Sequence, residues 1–89
     1  LTNKQIKLIN SLHSKKGRKE NDLFLVEGSS HIELVKSDFI IDFFVLSESE
    51  VSLVDKIVQY SESPIYFLEA ESIQKLSTLV NNEIGIAVV

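Results

Sequence analysis

"IIDFFVLS", residues 40–47, is apolar at every position except Asp42 and the closing Ser47. Successive side chains of a strand point to opposite faces of its sheet, so a strand with one wet face alternates apolar and polar residues. An apolar run broken this rarely predicts a strand covered on both faces. Three further short runs read the same way: "LFLV" (23–26), "IYFL" (65–68) and "IGIAVV" (84–89). Segments with helical spacing separate them. "TNKQ" forms a capping box with Thr2 as N-cap, and Ile6, Ile9 and Leu12 follow on one face, with Lys4, Lys7 and Ser11 on the other. In "SSHIELVK", Ser30 and Glu33 make a second capping box, and Ile32 and Val35 face one way. "VSLVDKIVQY" places Val51, Val54, Ile57 and Val58 on a stripe, and "AESIQKLS" spaces Ile73 and Leu76 by three. Helix and strand thus alternate four times, which predicts a three-layer α/β/α sandwich around a mainly parallel four-stranded sheet.

A chain of 89 residues holds one domain with a modest core. Hydrophobic content of 44% with 25% charged residues fits a globular fold and argues against disorder. No apolar run approaches the eighteen residues a membrane helix needs, and the lysine-bearing opening lacks the apolar stretch of a secretory signal. With no cysteine there is no disulfide framework and no thiolate metal site, which fits a cytoplasmic setting. The chain starts at Leu1 without any Met and stops inside an apolar run, as expected of a domain taken from a longer protein.

The formal net charge of -4 conceals a division. Residues 1–19 contain Lys4, Lys7, Lys15, Lys16, Arg18 and Lys19 and no acid, while all thirteen acids lie in residues 20–89 beside Lys36, Lys56 and Lys75. Such asymmetry points to a polyanionic partner at the basic end. The segment from His13 to Asp22 lacks apolar side chains and contains Gly17, so it reads as a basic loop. Lysines act there as point charges, and Arg18 offers a bidentate fork to phosphate or guanine. A solvated charge run is the competing reading.

Enzymatic patterns are missing. His13 and His31 lack the i,i+4 spacing of a helical metal pair, and Asp38 and Asp42 read as a solvated pair beside a strand. Gly17, Gly28 and Gly85 are too scattered for a phosphate loop or a dinucleotide fingerprint. Gly28 lies between a strand and a helix start, where it serves either a tight turn or an anion. Phe24, Phe39, Phe43, Phe44 and Phe67 lie in or beside strand runs and are expected in the core, so recognition by backbone and shape of folded RNA fits better than base stacking. A protein-interaction or dimerisation module is the alternative from another class.

"NKQIKLINSLHSKKGRKENDLFLVEG" (3–28), followed by "LVKSD", "LS" and "IAVV", resembles the N-terminal substrate-binding domain of the SpoU/TrmH family of RNA 2′-O-ribose methyltransferases. The resemblance covers essentially residues 1–89 and implies a fold like ribosomal and kink-turn-binding RNA proteins. It implies that Lys15, Lys16, Arg18 and Lys19 contact structured RNA, either rRNA or tRNA, with Lys4 and Lys7 helping. Glu27 and Gly28 match the family's "EG" strand end, with a structural role. No cofactor is expected in this domain. The resemblance implies a separate C-terminal knotted domain that binds S-adenosylmethionine, carries catalysis and forms a homodimer. The family's Thr-Pro pair before the last strand is replaced here by Asn81 and Asn82.

Overall fold

The computed structural model describes residues 1–28, 34–35, 39–78, 82 and 84–89. The Thr2 capping box forms as expected: Gln5 N donates to Thr2 Oγ1 at 3.1 Å, and Thr2 N donates to Gln5 Oε1 at 2.8 Å. It opens α1 (Asn3–Ser11), which buries Ile9, with Leu12 buried just beyond it. Next come α2 (Lys15–Asn21), β1 (Leu25–Glu27), β2 (Phe43–Ser47), α3 (Val51–Ile57), β3 (Ile65–Leu68), α4 (Ala70–Leu76) and β4 (Gly85–Val88).

β2 is buried at all five positions, which is what its unbroken apolar run requires. Its alternation sorts two cores. Phe43 and Val45 join Ile86 and Val88 under α1 and α4, meeting Ile9, Leu12, Ile73 and Leu76. Phe44 and Leu46 join Ala87 on the opposite face, meeting Ile57 of α3 together with Leu34, Val35 and Ile41. Helices therefore cover both faces, giving the three layers. Each fully buried aliphatic or aromatic side chain adds about 1.5–3 kcal/mol of transfer free energy, so β2 and β4 share the stabilisation with Ile9, Ile57 and Ile73 of the covering helices and with Leu12.

The sheet is mixed, and this corrects the mainly parallel expectation. Strand order is β1-β4-β2-β3; β2 and β3 pair in parallel, but β4 runs antiparallel to both β1 and β2. The cause lies in α4. It starts after the carboxyl end of β3 and finishes beside the carboxyl end of β1, where Ser77 and Thr78 bond to Glu27. The helix crosses the strands without returning the chain to their amino ends, so β4 enters from the wrong end to be parallel. A helix–strand alternation in sequence does not reveal whether a helix runs along the strands or across them.

Other expectations shift locally. Ile40 is 89% exposed and precedes the strand. On α3 the buried side is Ile57 with Leu53 and Val54 packed against the core, while Val51 and Val58 are exposed. Phe43 and Phe44 are core residues, but Phe24, Phe39 and Phe67 are exposed, because they flank the sheet or lie on its edge strand. The capping box of Ser30 and Glu33, as well as Ile32, His31, Asp38 and Asn81, lies outside the described residues. Among the described residues no helix is long and apolar enough to cross a membrane.

Candidate nucleic-acid interface

The basic segment is a helix, where a loop was expected. Ser14 is its N-cap, and Gly17 N donates to Ser14 Oγ at 3.1 Å. Lysine and arginine are good helix formers, and Lys16 and Glu20 lie one turn apart with Nζ 3.9 Å from the carboxylate. Gly17, which reads as a breaker, is the residue that fits. It is buried against α1, and a Cβ there would lie 1.8 Å from the Ser11 carbonyl oxygen. Asn21 Nδ2 donates back to the Gly17 carbonyl at 2.8 Å, and Asp22 ends the helix in the left-handed region at φ 53°. The signal was present in Ser14 followed by a run of helix formers and closed by Asn-Asp, residues that tolerate this conformation.

Six cations were expected at the site, and the structure sorts them. Lys15, Lys16 and Lys19 are exposed on α2, and Lys4 and Lys7 are exposed on α1. Arg18 is partly engaged within the fold, since its Nη1 donates to the carbonyls of Leu12 and His13 at 3.1 and 3.2 Å and so caps the carbonyl end of α1. A guanidinium has five N–H donors, so the rest of its fork is left for an acceptor. Lys15, Arg18 and Lys19 line one hollow with Asp22, Leu23 and Phe24. Lys4 lines the adjoining hollow with Asn21, Asp42 and Tyr66, and Leu23 belongs to both. Lys7 lines neither. The exposed Lys16–Glu20 pair is too solvated to matter for stability.

Phe24 beside these cations is the feature that sequence reasoning missed. It lies outside the basic run in sequence, and only the turn at Asp22 brings it alongside Lys15 and Lys19.

The opposite end of the sheet is held by polar side chains. Glu27 accepts from Ser77 Oγ at 3.1 Å, from Thr78 N at 2.8 Å and from Thr78 Oγ1, closing the carbonyl end of α4. His13 Nε2–H donates to the Leu76 carbonyl of the same helix end at 2.7 Å. Gly28 turns at φ 74°, and its N–H donates to the Gly85 carbonyl at 3.0 Å, which supports the tight-turn reading. Asn82 is buried; its amide donates to Ser77 Oγ and Gly85 O and accepts from Ile84 N and Gly85 N. An asparagine thus shapes the entry to β4. Among the described residues no cluster of three or more histidine or carboxylate side chains is arranged for a metal.

Residues 3–87 match the model of the MRM3-like substrate binding domain. The chain belongs to this family. That agrees with the resemblance drawn from residues 3–28. No curated protein matches the sequence. Among solved structures, this MRM3-like domain is similar to a protein from Porphyromonas gingivalis assigned to the TrmH family of RNA methyltransferases. The TM-score is 0.78 at 22% identity, over 99% of this chain and 34% of that one. It is also similar to an rRNA methyltransferase from Sinorhizobium meliloti solved with AdoMet bound, with TM-score 0.67 and 22% identity over 99% and 33%. An RNA 2′-O ribose methyltransferase gives TM-score 0.74 at 21% identity, over 98% and 34%. The MRM3-like domain therefore spans about a third of the length of each of these proteins.

Proposed function

We propose that this domain holds structured RNA, rRNA or tRNA, for an S-adenosylmethionine-dependent 2′-O-ribose methyltransferase. The observation that carries the reading is α2: three exposed lysines on a helix locked to α1 by Gly17 and Arg18, in a chain whose remainder is acidic. Each phosphate neutralised by such a lysine releases condensed counterions, so clustered cations add small gains, while the acidic surface discourages RNA elsewhere. Fixing the RNA in one orientation removes much of the entropic barrier to attack by a ribose hydroxyl.

Methyl-donor binding, catalysis and homodimer contacts are assigned to the other two thirds of a protein of the relatives' length.

The test is fluorescence anisotropy of the 89-residue chain with folded tRNA and an rRNA hairpin across a salt series. Lys15→Ala, Lys16→Ala and Lys19→Ala combined should weaken binding and flatten the slope of log affinity against log salt by about 0.7–0.9 for each phosphate no longer neutralised. Unchanged affinity and slope would remove α2 from the interface.

A further inference from the structure

We infer that the hollow between α1, the end of α2 and the starts of β2 and β3 receives one unpaired guanine of the bound RNA, with the Asp42 carboxylate reading its Watson–Crick edge. The inference rests on the RNA-holding reading above and adds base identity to a surface otherwise described by its charge.

The hollow measures about 490 Å³, within the range of small-molecule sites. Leu8, Leu23, Phe43 and Tyr66 supply its apolar lining, and the last two brace each other edge to face with ring centroids 5.7 Å apart. Four polar side chains complete the lining, and each keeps binding capacity. Gln5 Oε1 is taken by Thr2 N at 2.8 Å, so the Gln5 amide nitrogen is left to donate. Asn21 Nδ2 donates to the Gly17 carbonyl at 2.8 Å, so Asn21 Oδ1 is left to accept. The side chains of Lys4 and Asp42 have no hydrogen bond or ion pair among the described residues.

Asp42 selects the ligand. Residues 1–19 contain no acid, and the fold brings this carboxylate to the basic end by holding the start of β2 on β4, where Asp42 N donates to the Val88 carbonyl at 2.7 Å. A carboxylate repels phosphate, so this hollow does not suit the RNA backbone. It accepts two parallel hydrogen bonds from a ligand with two adjacent N–H donors. Guanine alone among the four bases presents such a pair, N1–H and N2–H, on its Watson–Crick edge. Adenine, cytosine and uracil place an acceptor beside a single donor and would set a lone pair against the carboxylate. Lys4 and the Gln5 amide supply donors for guanine O6 and N7. Leu23 also lines the hollow of Lys15, Arg18 and Lys19, which sets those cations alongside the phosphates that flank a guanine held here. A basic peptide would satisfy Asp42 but be repelled by Lys4 and the lysines of α2. The guanine is separate from the nucleotide whose ribose reacts, since catalysis is assigned to the rest of the protein.

The experiment uses three hairpins, identical except for a single bulged guanosine, inosine or adenosine. Wild-type chain should prefer guanosine over adenosine by at least about fivefold, the lower bound for one bidentate base contact. Inosine keeps N1–H but lacks the N2 amine and should fall between them. Asp42→Asn separates base reading from simple charge, because the two predict opposite signs. If Asp42 only repels RNA, the variant binds every hairpin more tightly; as a guanine reader, it loses affinity for the guanosine hairpin and the preference disappears. An amide spectrum confirms the fold of the variant, and Asp42→Ala replaces it if Asp42→Asn does not fold. Equal binding of the three hairpins by wild-type chain, or a variant that gains on guanosine as much as on adenosine, overturns the guanine site and leaves RNA holding intact. No binding of any hairpin or of folded tRNA overturns the RNA-holding reading itself.

Discussion

Replacing Gly17 by alanine sets two effects of opposite sign against each other. In an open helix interior alanine is favoured over glycine by about 1 kcal/mol, so propensity alone predicts a more stable domain. The packing predicts the reverse. A Cβ at position 17 would lie 1.8 Å from the Ser11 oxygen and 2.6 Å from its carbonyl carbon, both backbone atoms that cannot swing away. Reaching a tolerable 3.0 Å from that oxygen requires α2 and the end of α1 to separate by roughly 1.2 Å. That movement strains the bonds bridging the junction: Arg18 Nη1 to Leu12 O and His13 O at 3.1 and 3.2 Å, and Asn21 Nδ2 to Ser11 Oγ at 3.4 Å. Overpacking costs about 1–3 kcal/mol, and bridging bonds add about 0.5–1 kcal/mol each at this partly exposed site. With the propensity gain subtracted, the net loss is about 1.5–5 kcal/mol. For a domain of this size that lowers Tm by at least about 6 °C. Thermal and urea unfolding followed by circular dichroism measure it, with the exposed Lys19→Ala expected within about 0.5 kcal/mol of wild type. A Tm for Gly17→Ala equal to or above wild type would refute the close α1–α2 contact.

Arg18→Lys should keep the charge yet lose the two-carbonyl grip, lowering stability by about 1 kcal/mol in urea titration, whereas Lys15→Arg should be neutral. Glu27→Gln removes a charged acceptor for Ser77 and Thr78 and should cost about 1–2 kcal/mol, with amide shifts concentrated at the end of α4. Asn82→Ala breaks four hydrogen bonds at a buried site and should cost about 2–4 kcal/mol, read from the same titration, together with faster hydrogen exchange at Ile84 and Gly85.

The parts of this fold written in local pattern were legible from the sequence. β2 and β3 follow from apolar runs, α1 from its capping box, and the packing of α4 from Ile73 and Leu76. Long-range geometry was not legible. The direction of β4 depends on α4 running across the sheet, a tertiary fact with no local signature. The helix α2 was hidden because glycine marks a breaker in isolation but marks a close approach where another backbone passes 1.8 Å from its missing Cβ. Of the site, the cations were legible and their division of labour was not. Arg18 and Lys19 look alike in sequence, yet one caps α1 and the other faces solvent. Phe24 joins them only through the left-handed turn at Asp22.

That the surface formed by α1 and α2 holds RNA is tested most directly by titrating the isotope-labelled chain with folded tRNA and an rRNA hairpin while following backbone amide shifts at two salt concentrations. Salt-sensitive shifts concentrated between Lys4 and Phe24, weakest at high salt, are the expected result. An absence of shifts, or salt-insensitive shifts confined to the exposed Val51, Val58 and Tyr60 on and after α3 and Phe67 on the edge strand β3, would contradict it.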